Sequence, residues 1–239
     1  MNRLAPSATD TGAVAGGTNT YSYETAFSRN LGWLNEWEQQ ALRGKRVAIA
    51  GMGGVGGFHL LTLVRFGIGS FNIADRDKFE LVNFNRQVGA TLASIGRPKV
   101  DVMAENARQI NPELRISCFG EGITETNLNT FLEGVDLLID GLDFFVLDIR
   151  RKVSARCREL GIPVINAAPL GMGTGFLIFM PGGMSFEEWF RLDELSEEHQ
   201  YVSYLVGIAP RALPDLPPAR RPTRLPPRNS TPPQYPVRV

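Results

Sequence analysis

Residues 46–57, Arg46-Val47-Ala48-Ile49-Ala50-Gly51-Met52-Gly53-Gly54-Val55-Gly56-Gly57, decide how the rest of the chain is read. The first five form a short apolar run ending at a glycine, which reads as a buried strand. Gly51-Met52-Gly53-Gly54-Val55-Gly56 follows directly and opens a helix. Glycines there let backbone amides approach a phosphate, and a helix N-terminus favours negative charge. Asp75 closes the next apolar run, 24 residues after Gly51. A carboxylate at that point can accept hydrogen bonds from ribose hydroxyls. Strand, glycine loop, helix, strand and acid therefore fall in the order that a nucleotide site requires.

Working outward, the grammar alternates. Val55–Phe66 is apolar almost all round and predicts a buried helix. Ser70–Asp75 predicts a second strand. Val100, Met103, Ala104, Ala107 and Ile110 recur at helical spacing and Asn111-Pro112 stops them. Leu114–Phe119 predicts a third strand, Thr124–Leu132 a helix with Thr124 as N-cap, and Val135–Asp140 a fourth strand. Phe145–Leu160 predicts a helix closed by Gly161. Ile162–Ala168 and Thr174–Met180 predict two more strands, and 184–206 an amphipathic helix. Before the first strand, residues 21–43 predict a helical arm interrupted at Gly32, with Phe27, Leu31, Leu34 and Leu42 as its apolar contacts. The fold class is α/β: a Rossmann-like, mostly parallel sheet with helices on both faces. Ligands of such sheets lie beyond the carboxyl ends of the strands.

Composition narrows the function. The hydrophobic fraction is 43% and the charged fraction 21%, enough to bury a core and too apolar for disorder throughout. Acids and bases balance at 25 each, so no whole-chain field draws the protein to nucleic acid or membrane. Two cysteines, Cys118 and Cys157, exclude a disulfide framework or a four-cysteine zinc site. No run is long and apolar enough for a membrane span, and residues 1–20 lack a secretory h-region, so the expected compartment is the cytoplasm. The expected organisation is a disordered leader (1–20), a helical arm (21–43), a nucleotide-binding α/β domain (44–209) and a Pro/Arg-rich disordered tail (210–239). That tail holds six of the arginines and ten of the 16 prolines.

Further residues argue for a triphosphate over a dinucleotide. The acid pair Asp75 and Asp77 is followed by Asn83-Phe84-Asn85-Arg86-Gln87, then by Gly96-Arg97-Pro98-Lys99. A triphosphate carries more charge than a pyrophosphate bridge, and Arg, Lys and Mg²⁺ neutralise it in phosphoryl and nucleotidyl transfer. Arg86 and Lys99 can serve if their segment folds back over the sheet edge. Asp143 sits just past the fourth strand, where a hard cation could be shared between a carboxylate and phosphates.

The run RVAIAGMGGVGG, then IGSFNIADRD, LVNFNRQ, GRPKVDVMAENARQINP and VDLLIDGLD resembles the ThiF/MoeB/HesA family of adenylyltransferases, related to ubiquitin-activating enzymes. The likeness covers about residues 21–180. Its RPKV-to-INP stretch also looks like the branch that dehydrates threonylcarbamoyl-adenosine in tRNA. The resemblance implies ATP-dependent adenylation of a carboxylate, giving acyl-AMP and pyrophosphate, with ATP and Mg²⁺ bound. It implies that Gly51, Gly53, Gly54 and Gly56 cradle the phosphates and that Asp75, with Asp77 beside it, holds the ribose. Asn83 and Arg86 would contact the phosphates with Gln87 nearby, Lys99 would neutralise the triphosphate, and Asp143 would bind Mg²⁺. Arg29 matches an arginine that reaches the partner subunit's ATP site, which implies a homodimer. The acceptor would be a ubiquitin-like carrier protein's C-terminus, a peptide, or the threonylcarbamoyl group of tRNA, which neutral total charge disfavours.

Several features depart from that pattern. Phe144 stands where the family has Asn after the magnesium aspartate. No Cys-x-x-Cys pair is present and no cysteine follows Cys157. The half of the family fold beyond Met180 is expected to be truncated, and the Pro/Arg-rich stretch is read either as a frameshifted or degenerate end or as a genuine linker. Two other readings share the glycine loop: an NAD(P)-dependent oxidoreductase, and an inactive nucleotide-binding remnant of a ThiF-type enzyme.

Overall fold

A computed structural model describes residues 21–171 and 173–208. The expectations for 1–20 and 210–239 lie outside the described residues. Side chains alternate along β1 (Arg46–Ala50), and its two faces enter two cores. Val47 and Ile49 face one core with β2 (Ser70–Ala74), α3 (Gly56–Arg65) and α4 (Lys99–Ile110). Ala48 and Ala50 face the other, which includes α5 (Leu128–Phe131), β4 (Leu137–Asp140) and α6 (Leu147–Leu160). Each large apolar side chain buried in these cores contributes about 1.5–3 kcal/mol by leaving water.

With β3 (Arg115–Phe119), β5 (Val164–Leu170) and β6 (Gly173–Phe179), the strands form one sheet in the order β3-β2-β1-β4-β5-β6. The first five run parallel and β6 pairs antiparallel to β5. The winding direction reverses between β1 and β4, the crevice in which such sheets take ligands. This is the expected mostly parallel, doubly covered sheet. Among the described residues, no helix is long and apolar enough to cross a membrane.

Three helical expectations need correction. Thr124–Leu132 is not one helix: Asn127 Oδ1 accepts from the Thr124 amide and Thr124 Oγ1 from the Asn127 amide, making a turn before the short α5. Residues 184–206 divide into α7 (Phe186–Phe190) and α8 (Glu197–Ile208). Between them Arg191 and Glu194 take positive φ while Leu192 is fully buried, so the chain leaves the helix to pack that side chain. Helix α3 is not buried all round, because Phe58 is half exposed. In the arm, α1 (Tyr23–Ala26), a 3₁₀ turn (Ser28–Asn30) and α2 (Glu36–Gly44) flank Gly32, whose φ of +110° makes the expected break. Phe27 is buried and Leu42 packs on the core, but Leu31 is exposed.

Candidate nucleotide site

Three strand ends meet at one rim of the sheet, because Ala50 is in register with both Ala74 and Asp140. Past them lie Gly51, Asp75 and Gly141. The Gly51 amide donates to the Ala74 carbonyl at 2.7 Å and the Gly141 amide to the Ala50 carbonyl at 2.8 Å. Gly51 has φ +91°, and a Cβ there would fall 2.3 Å from the Gly141 carbonyl oxygen. A Cβ on Gly56 would fall 1.8 Å from the Gly51 carbonyl oxygen. These two glycines are required by backbone-on-backbone packing.

Gly53 and Gly54 differ. A Cβ on Gly53 would meet only the Gln87 amide, at 3.7 Å, and one on Gly54 would meet the Arg86 carbonyl at 3.2 Å and its Cγ at 3.5 Å. Arg86 and Gln87 thus back the glycine loop, and the Asn83 carbonyl accepts from both of their amides. Asn83 is buried, its Oδ1 accepting from the Glu80 amide. Arg86 is exposed and donates to the Val82 carbonyl and Asn85 Oδ1. Gln87 is buried with an unpartnered Oε1. Among the described residues, the amides of Gly53, Gly54 and Val55 have no hydrogen-bond acceptor.

Asp75 joins the second strand end to the loop. Its Oδ2 accepts from the Met52 amide at 2.7 Å and its Oδ1 from the Asp77 amide at 2.8 Å. Asp77 Oδ2 in turn pairs with Lys99 Nζ at 3.1 Å. Lys99 is buried in the first turn of α4, where the helix dipole disfavours a cation. Its only ion-pair partner among the described residues is the mostly exposed Asp77. A buried lysine so placed is poised for additional negative charge.

Asp143 lies two residues past Gly141, exposed, with Oδ1 accepting from the Phe145 amide at 3.1 Å. Among the described residues, no three carboxylate, thiol or imidazole groups cluster as a preformed metal site. Mg²⁺ commonly takes one or two carboxylates plus phosphate oxygens, so a single Asp143 suits it only alongside a triphosphate. Free loop amides and two cations are a donor set that fits a nucleoside triphosphate.

Arg29 is not brought to this rim within one chain. Its neighbour Asn30 donates to the carbonyls of Arg65 and Phe66 at the far end of α3 from the loop. Ten residues of helix separate those ends by about 15 Å.

Sequence reasoning missed Arg150, Asn166 and Tyr204. Asp140, at the end of β4, is buried and pairs with Arg150 Nε at 2.7 Å. Asn166 Nδ2 donates to the same Asp140 oxygen at 2.7 Å and to the Tyr204 hydroxyl at 3.1 Å. Burial works against the charge on Arg150, yet the Asp140 carboxylate, together with Tyr204 and Asp143, offsets it and holds the guanidinium above its ordinary value. Burial pushes the Tyr204 phenol up to about 12. One signal was available: Arg150 occupies the buried stripe of α6 with Leu147, Ser154 and Cys157, where an apolar side chain is expected. Cys157 is a buried free thiol, pushed up to about 12 by burial.

A parallel α/β sheet with a glycine cradle at its switch point defines a nucleotide-binding protein. Residues 27–209 match the ThiF family, and the chain belongs to that family. It is 34% identical over 142 residues to tRNA threonylcarbamoyladenosine dehydratase of Bacillus subtilis, covering 59% of this chain and 55% of that protein. It is 31% identical over 143 residues to the sulfur carrier protein ThiS adenylyltransferase of Escherichia coli, covering 60% and 56%. The crystal structure of Escherichia coli tRNA N6-threonylcarbamoyladenosine dehydratase in complex with ATP superposes with a TM-score of 0.57 at 30% identity, covering 60% of this chain and 58% of that one. The chain therefore spans just over half the length of these relatives.

Proposed function

We propose that the protein binds ATP at the Gly51–Gly56 loop and adenylates a carboxylate, forming acyl-AMP and releasing pyrophosphate. The observation that carries this reading is the unbroken path from Lys99 through Asp77 and Asp75 to the Met52 amide, which ties a buried cation to the glycine loop. A dinucleotide oxidoreductase gives that cation, Arg86 and Asp143 no common task. The relatives that share the fold include an adenylyltransferase and a dehydratase crystallised with ATP.

In the reaction a carboxylate oxygen of the acceptor bonds to the α-phosphorus while the bond to the pyrophosphate oxygen breaks. Lys99 and Arg86 offset the charge gathering on the departing pyrophosphate, and the loop amides hold the chain of phosphates in line. Asp75 keeps a spare lone pair on each oxygen and accepts from the ribose hydroxyls. Asn83 and Gln87 fix the segment that carries Arg86. Asp143 would hold Mg²⁺, which supplies charge neutralisation on the triphosphate. Arg29 acts on the ATP site of a second copy, since in its own chain it belongs to the opposite end of α3.

The acceptor class is the C-terminus of a ubiquitin-like carrier, a peptide, or the threonylcarbamoyl group of tRNA. The ThiS-directed and tRNA-directed relatives lie at similar identity, so both are carried forward. Thermal stability tests the nucleotide: saturating ATP with Mg²⁺ at 100 times its Kd should stabilise the protein by about 2.7 kcal/mol, and NAD should not. Pyrophosphate release, assayed with one acceptor of each class, then tests the chemistry. Stabilisation by NAD alone would overturn the reading.

A further inference from the structure

We propose that Arg150 is a positioning residue that sets the pose of Asp143, and so governs how much a metal ion adds to nucleotide binding. The inference rests on the reading of Asp143 as the magnesium-binding carboxylate. One guanidinium grips both ends of the turn that carries Asp143. Its Nε donates to Asp140 Oδ2 at 2.7 Å, before the turn. Its Nη2 donates to the carbonyls of Leu142 at 2.7 Å and Asp143 at 3.1 Å. Asp140 Oδ1 closes the same turn from inside by accepting from the Leu142 amide at 3.1 Å. The peptide group of Asp143 is thereby fixed while its carboxylate stays exposed at the rim.

Stability alone gives this arrangement a weak reason to exist. Both partners are almost wholly buried, at 2% and 5% exposure. Buried ion pairs are commonly no more stabilising than an apolar pair of the same shape. An apolar pair would anchor α6 to β4 equally well and leave the Leu142 and Asp143 carbonyls ungripped. Only arginine has a planar fork able to take the carboxylate on one edge and two carbonyls on another. Asn166 and Tyr204 support the pair from behind: the amide reaches Asp140 Oδ2, and the guanidinium carbon lies 4.8 Å from the Tyr204 ring centroid. Arg150 Nη1 is left buried without a polar partner, so every hydrogen bond of the fork goes to Asp140 or to the turn.

The test uses the full chain and two substitutions. Arg150→Lys keeps the charge and loses the fork. Asp140→Leu combined with Arg150→Met replaces the pair by apolar groups and protects the fold should the lysine variant fail to assemble. ATP affinity is measured by calorimetry, once with excess magnesium chloride and once with EDTA, beside melting temperatures. The expected result is an unchanged affinity in EDTA and a magnesium-dependent gain reduced about ten-fold, the size of one well-placed charge-assisted contact. A purely structural role would move the melting temperature and leave that ratio alone. An unaltered ratio in the folded variants, with Asp143→Asn reducing it, overturns the positioning role alone. An unaltered ratio in Asp143→Asn overturns the metal reading, and the positioning role goes with it.

Discussion

The carboxylate of Asp75 accepts the Met52 amide at 2.7 Å, so the residue at the end of one strand holds the loop that follows its neighbour. A hydrogen bond to an ionised group is worth about 1.5–3 kcal/mol when its partner is otherwise unsatisfied. Asp75→Ala should release the loop and weaken ATP binding by roughly 10- to 100-fold, more than loss of a ribose contact alone. Asp75→Asn keeps one acceptor oxygen and should fall between. Titration of ATP into the three proteins checks the order. Equal affinities would show that the loop holds its shape without this bond.

The loop glycines should separate by function. At Gly56 a methyl group would sit 1.8 Å from a backbone oxygen, and something in the main chain must shift. Gly56→Ala should cost about 2–4 kcal/mol, a fall in Tm on the order of 10 °C for a chain of this size. At Gly53 the nearest atom is the Gln87 amide at 3.7 Å, so Gly53→Ala should leave Tm within about 2 °C. The same methyl would stand where phosphates approach the loop, and ATP affinity should drop. A matched pair of melting curves and ATP titrations decides whether the two positions divide this way.

A mixing experiment addresses Arg29. In one chain it sits by Asn30, which binds the Arg65 and Phe66 carbonyls, away from Asp143. Arg29→Ala and Asp143→Ala should each be inactive in pyrophosphate release with whichever acceptor serves the native protein. Mixed, they should regain part of the activity, because in the proposed homodimer one mixed site has both residues. No recovery in isolated mixed dimers would remove Arg29 from the reaction.

Asp136 predicts a pH dependence at the opposite end of the sheet. Its Oδ1 pairs with Lys45 at 2.8 Å and its Oδ2 accepts the Arg46 amide at 2.8 Å, where β1 starts. Burial alone would raise its pKa, but the Lys45 ammonium and the Arg46 amide outweigh it and hold the carboxyl below its usual 3.8. A pKa depressed in the folded state gives stability that is present above the unfolded value and is lost as pH falls through the folded one. Asp136→Asn should therefore be less stable than the native protein at neutral pH, with the gap closing below about pH 4. Denaturant unfolding at several pH values measures the gap, and a constant difference would exclude a titrating contribution.

The strand–loop–helix unit was legible because 46–57 changes abruptly from apolar run to glycines to apolar helix, with no competing reading. The acid at Asp75 was legible for the same reason. Thr124–Leu132 misled because Thr124 and Asn127 bond each other's backbone and take the chain out of the helix that its composition favours. The break after Phe190 was hidden too: nothing local in Arg191–Glu194 says that Leu192 will be fully buried. Arg150 was illegible in a stronger sense. Its place is set by Asp140 and Asn166, residues on two neighbouring strands that come level only once the sheet is formed.

The tight seating of Gly51, Gly56 and Gly141 has a dynamic consequence. Main chain bears on main chain at each of these points, so a shift of the cradle is expected to carry the turn bearing Asp143 with it. Arg86 is placed differently: its exposed guanidinium is held by the Val82 carbonyl and the Asn85 side chain, so it can swing toward a nucleotide without disturbing that packing.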